Sequence, residues 1–197
     1  VNERVRGMAV APRELEIFTK LFNSWKWLLS HAPNRSELME SSYCSDMISP
    51  DLLKASFQVF DWFPRSEHSL TVAMMIKVGT NFRPFNELLS REGGCKKVVD
   101  IISSTMQNEE TTEVLLVAVS NLLSTEEFAA DLIEARALTY LQPAVLHSNA
   151  KVKLQACFAI ACLASRDDIT DQVLQSGVLA LLVDVLRQIT PGCENME

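Results

Sequence analysis

Two stretches decide how this chain is read: VAVSNLLS at Val117–Ser124 and FAIACLAS at Phe158–Ser165 spell nearly the same apolar phrase twice. Their surroundings repeat as well. REGGCKKVVDII (91–102) precedes the first phrase, IEARALTYLQPAVL (133–146) precedes the second, and LQSGVLALLVDVL (174–186) follows both. With Gly93, Arg136 and Gly177 taken as equivalent, the two spacings agree on a period of about 42 residues. The apolar positions two and five places on then match: Cys95 and Val98, Leu138 and Leu141, Leu179 and Leu182. Self-similarity at this period is the mark of stacked helical repeats, in which no unit buries its apolar face alone and its neighbours complete the core.

The bulk composition agrees with a helical chain. The 197 residues are 48% hydrophobic and 22% charged, as in a soluble globular protein. Six glycines and seven prolines are few for an all-β chain of this length, which would need many tight turns. The longest apolar runs, such as VLALLVDVL, are interrupted by Asp184 and are too short to span a bilayer. No signal peptide shows at the start, and the chain opens on Val1 and stops just after a repeat has begun, as expected of a piece of something longer.

A net charge of −7 argues against binding nucleic acid through general phosphate attraction, which needs a basic face, and favours a basic partner. The cysteines, Cys44, Cys95, Cys157, Cys162 and Cys193, are odd in number and form no C-x-x-C pair, so neither a disulfide framework nor a zinc site is expected. Reduced thiols place the chain inside the cell, in cytoplasm or nucleus. Catalysis finds no support. His31, His68 and His147 stand apart, with no glycine elbow around a serine, no H-E-x-x-H and no Gly-rich phosphate loop. No cofactor or metal is expected.

Each repeat should hold a short helix and two longer ones, and capping residues fall where that requires. Asn108 precedes EETTEVLLVAVSNLL, Thr125 precedes EEFAADLIE, Ser148 or Asn149 precedes AKVKLQACFAIACLA, and Asp167 or Asp168 precedes ITDQVLQ. In the long third helices the helical spacing selects Val114, Leu115, Ala118 and Leu122 in one, and Leu154, Cys157, Ala161 and Ala164 in the other. Cys157 and Cys162 read as small core residues. Gly93 and Gly177 sit where a short helix turns sharply into the next, a place that suits positive φ. Arg136 at the equivalent point predicts a turn made differently.

The third-helix phrase ending in SNLL, the turn of the form E-x-G-x-x-x-L and the period together resemble the armadillo repeat family. The resemblance covers Phe85 to Gln188 and is weak before it. It implies an all-α, right-handed armadillo-like solenoid without catalytic activity, whose groove is lined by third helices and binds peptides or extended segments. HEAT repeats share the length and stacking logic and are the alternative architecture. The chain then divides into degenerate N-terminal helical repeats at 1–84, armadillo-like repeats with an incomplete last one at 85–188, and a tail at 189–197. In the first part a third helix is expected at Leu15–Ser30, a short helix at RSELMES, a second helix around Asp51–Phe63 and a third at Ser69–Val78. FRPFNELLSREGG leads from there into the clear repeats.

Peptide-holding members of the family use a ladder of third-helix asparagines with a tryptophan one turn earlier, and the amide fixes an extended backbone through both its oxygen and its nitrogen. Asn121 falls on that position here, but the next rung is Cys162, the previous one is Lys77, and the tryptophan places hold Val117, Phe158 and Ala73. One rung makes no ladder, so a packing role for Asn121 is preferred. No Lys or Arg occurs between Val98 and Ala135, while Asp100, Glu109, Glu110, Glu113, Glu126, Glu127, Asp131 and Glu134 do. Four of these stand in first helical turns, where negative charge favours the helix dipole; aligned over neighbouring repeats they also make an acidic ridge. All three tryptophans lie before residue 63, in stretches such as FNSWKWLLSH, and read as a larger, less regular core.

The function expected is a non-enzymatic scaffold or adaptor. It would hold a peptide or helix of another protein, basic or amphipathic, over Val117, Asn121, Phe158 and Cys162, with Glu113 and Glu127 beside them. The alternative is an autoinhibitory or GTPase-responsive module like the armadillo-like region of diaphanous formins. No direct contact with nucleic acid or membrane is expected.

Overall fold

The structure, a computed structural model, describes residues 20, 49–62, 67–124, 126–167 and 169–189. Among them it is all-α. Ten helices follow one another: α1 Pro50–Trp62, α2 Glu67–Gly79, α3 Arg83–Arg91, α4 Gly94–Thr105, α5 Glu109–Leu123, α6 Glu126–Glu134, α7 Ala137–Val145, α8 Ala150–Ala164, α9 Thr170–Gln175 and α10 Val178–Ile189. Apart from Lys20, the helix expected at Leu15–Ser30 lies outside the described residues, as do the one expected at RSELMES and the tryptophans at 25 and 27. The chain divides into two compact units, Val1–Gly94 and Cys95–Glu197. The sequence division at residue 84 marks where the repeat pattern becomes clear, which is a different criterion from compactness.

In the first unit α1 starts on a local signal. The Ser49 hydroxyl accepts the Leu52 amide at 3.1 Å, and Pro50 takes the first helical position, where its missing N–H costs nothing. α1 packs on α2, burying Leu53, Phe57 and Phe60 from one helix and Val72, Met75 and Ile76 from the other. Two buried polar side chains reach nearby carbonyls: Ser56 donates to the Leu52 carbonyl at 2.6 Å, and Asn86 Nδ2 donates to the Thr80 carbonyl at 3.1 Å.

The second unit carries the repeat. α5 and α8 are both 15 residues long and begin one period apart, at Glu109 and Ala150. The starts of α4, α7 and α10, at Gly94, Ala137 and Val178, keep the same spacing. α8 lies against α5 on one side and α7 on another, while α7 also packs on α10. Polar ties join positions about one repeat apart. His147 Nε2 donates to the Met106 carbonyl at 3.2 Å, which leaves Nδ1 to accept the Asn149 amide at 3.0 Å. Asn149 Nδ2 donates to Glu109 Oε2 at 2.5 Å. Within one triplet the corner between α4 and α5 is closed by Thr112, whose hydroxyl donates to the Thr105 carbonyl at 2.7 Å.

Two of the expected caps form. Asn108 Oδ1 accepts the Thr111 amide at 3.3 Å, and at α8 Asn149, not Ser148, accepts the amides of Lys151 and Val152 at 2.9 and 3.4 Å. α9 corrects the sequence reading. It begins only at Thr170, with Ile169 at its N-cap and no side-chain cap, and Thr170 donates its hydroxyl back to the Arg166 carbonyl. Thr125 and Asp168 lie outside the described residues.

The turn before each second helix holds a further correction. Gly93 and Gly177 take φ of 67° and 73°, and Arg136 takes 61°. Arg136 therefore makes the same left-handed turn as the glycines. Its side chain is exposed, so no packing holds it there. The conformation is imposed by the flanking helices α6 and α7, which must pack on each other, at a cost of about 1–2 kcal/mol for a non-glycine residue.

Candidate protein-binding face

α5 and α8 run side by side, so residues one or two turns apart on either helix form a continuous outer face. On α5 that face carries Glu113, Val117 and Asn121, each half-buried. On α8 the equivalents one repeat later are Leu154, Phe158 and Cys162. Leu154 is 65% exposed and Phe158 56%, and Cys162 is half-buried. Val117, Asn121, Phe158, Cys162 and Glu113 are thus brought onto one face; the side chain of Glu127 lies outside those described.

Leu154 is the residue that periodicity misplaced. Helical spacing groups it with Cys157, Ala161 and Ala164, yet Ala161 is exposed as well and Cys157 and Ala164 are only half-buried, and of the two cysteines read as small core residues, Cys157 and Cys162, neither is fully buried. The core side of α8 is Val152, Ala156, Ala159, Ile160 and Leu163. These correspond, one repeat back, to Thr111, Leu115, Ala118, Val119 and Leu122, every one buried. On α5, Val114, Leu115, Ala118 and Leu122 are buried as expected. The signal that finds Leu154 is the repeat itself: its partner position is Glu113, which belongs on the outer face.

Burial pushes Cys162 and Cys157 above the ordinary thiol value, in Cys157 partly opposed by Lys153. Cys95 is pushed up to about 12 by burial, with the Asp131 carboxylate adding to the effect. All three stay protonated at neutral pH, so Cys162 offers the face a small apolar surface.

Of the acidic positions, Glu109 is tied to Asn149 and Asp131 lies near Cys95, whereas Glu110 is exposed and Glu113 flanks the apolar face. Among the described residues there is no cluster of three or more His, Cys, Asp or Glu that could hold a metal ion, and no helix long and apolar enough to cross a membrane.

No family model and no curated protein matches the chain. Among solved structures, the crystal structure of an engineered protein from the Northeast Structural Genomics Consortium matches with a TM-score of 0.56 at 20% identity. The match covers 83% of this chain and 72% of that one, and at this identity the likeness is one of fold.

Proposed function

We propose that the chain is a non-enzymatic protein-interaction scaffold or adaptor of the cytoplasm or nucleus. In this reading it is built as a right-handed armadillo-like solenoid, and it holds a helix or extended segment of another protein across the outer face of α5 and α8. The observation that carries the reading is Leu154 and Phe158, two large apolar side chains one turn apart and both more than half exposed, with Val117 at the position equivalent to Phe158 one repeat back. From Leu154 to Ala164 the only polar side chain is Gln155, although this helix has an open side. A helix apolar all round is normally covered all round, and each such side chain gains about 1.5–3 kcal/mol when fully buried. Basic groups on the partner would reach Glu110 and Glu113 and make binding weaken with salt.

The test is to capture the partner from cell extract and then compare the double variant Val117→Glu, Phe158→Glu. Binding should be lost with helical content unchanged by circular dichroism. A folded double variant that binds as the parent does, together with loss of binding on substitution at Trp25 and Trp62, would move the working surface to the N-terminal half.

A further inference from the structure

Level with one another on α5 and α8, the outer face carries opposite charges. Both helices belong to the second compact unit, start together at the bond from Asn149 Nδ2 to Glu109 Oε2, and run side by side from there. On α5 the stripe that helical spacing puts on this face is Glu110, Glu113, Val117 and Asn121. One repeat on, the same stripe of α8 is Lys151, Leu154, Phe158 and Cys162. The first place is thus a carboxylate on one helix and an ammonium on the next. Glu110 and Lys151 are both exposed, and among the described residues neither is ion-paired.

A twofold axis matches this pattern to itself. With the axis parallel to the helices, midway between them and above the face, α5 of one copy lies on α8 of the other and runs parallel to it, with equivalent positions level. Glu110 of each copy then meets Lys151 of the other, Val117 meets Phe158, and Asn121 meets Cys162. Glu113 meets Leu154 and stands one turn from the same lysine. The ion pairs form at one end, and Leu154 and Phe158, 65% and 56% exposed in the single chain, are covered in the middle. The other twofold arrangement, with the axis across the helices, lays each helix antiparallel on its own copy. It faces Glu110 with Asn121 and Lys151 with Cys162, so both charges go unmatched. A basic segment would be drawn to Glu110 and Glu113 but repelled at Lys151, whereas a second copy presents the complement of both by symmetry.

We propose that the outer face of α5 and α8 pairs two copies of this chain in a parallel, twofold-symmetric dimer, with Leu154 and Phe158 at its centre and its register set by Glu110 against Lys151. Exposed ion pairs add little each, so the dimer is weak and its population rises with concentration. The inference goes beyond the partner reading and does not rest on it. Partner and second copy exclude one another on this face, so a strictly monomeric chain that binds a partner there removes the dimer alone, and a dimer that binds no partner removes the partner reading alone.

The test is sedimentation equilibrium of the chain from about 5 to about 500 μM at low salt. A monomer–dimer equilibrium is expected, and it should be lost in Phe158→Glu. Glu110→Lys and Lys151→Glu should each weaken association by about tenfold or more, because two attractive pairs become two repulsive ones. Mixed in equal amounts, the two variants should associate as tightly as the parent, since both contacts of the mixed dimer join opposite charges. A chain that stays monomeric throughout, a dimer that survives Phe158→Glu, or a mixture no tighter than its components overturns the proposal. Single charge variants as tight as the parent overturn it too and point to the antiparallel arrangement. Both charged positions are exposed, and Lys151→Glu adds a carboxylate to the first turn of α8, where it favours the helix. Its circular dichroism melt should therefore match the parent's, so that weaker association reports on the contact and not on folding.

Discussion

α5 and α8 are the same element written twice, and they differ in what surrounds them. Both have 15 residues, an asparagine cap and a matching set of five buried positions. Yet on α5 the side bearing Leu116, Ser120 and Leu123 is closed, and on α8 the side bearing Cys157, Ala161 and Ala164 is open. Where one element recurs along a chain, then, burial belongs to a position's neighbours more than to its residue type. An apolar residue on the open side of the later helix is informative where the same residue on the earlier one would be ordinary core.

The largest expected effect tests which side of α8 is the core. Leu163→Ala should destabilise the chain by about 2–5 kcal/mol in urea denaturation, as Leu122→Ala should on α5. Leu154→Ala should change stability by no more than about 0.5 kcal/mol. Equal costs at Leu163 and Leu154 would break the equivalence of the two helices.

A smaller difference is expected at the caps. Asn149 accepts two amides and also donates to Glu109, whereas Asn108 accepts one amide in a longer bond. Asn149→Ala should therefore cost about 1–2 kcal/mol and Asn108→Ala about 0.5–1 kcal/mol. Glu109→Gln keeps an oxygen that can accept from Asn149, so it should recover most of the Asn149 contribution; a loss as large as that of Asn149→Ala would mean that charge, not geometry, holds the two triplets at this point.

The smallest effect should be a gain. Arg136 stands alone among the three equivalent turns in combining positive φ with a side chain, so Arg136→Gly should raise stability by up to about 1 kcal/mol, the left-handed cost less the added freedom of the unfolded chain. Gly93→Ala and Gly177→Ala should move the other way by a similar amount. An added Cβ meets nothing within 4 Å at either glycine, so the loss would come from backbone conformation alone. A destabilised Arg136→Gly would show that the arginine makes a contact its exposure does not suggest.

What the sequence determined by itself was local or periodic. The repeat spacing, the helical class, the caps at Asn108 and at Ser148 or Asn149 and the core side of α5 follow from hydrogen bonds to nearby amides and from apolar residues confined to part of one helix. Asp167 and Asp168 show how far this reaches: their cap chemistry suits a helix start, yet α9 begins at Thr170, a boundary drawn by the turn that carries Ile169 into the core. The tertiary structure alone decided the rest. α8 is apolar on nearly every side, so no period within its own length can say which side is covered, and only its seating between α5 and α7 leaves Leu154, Phe158 and Ala161 in the open. The same packing draws Arg136 into a backbone conformation that its own chemistry resists, because the helices on either side gain more by packing than one strained residue loses.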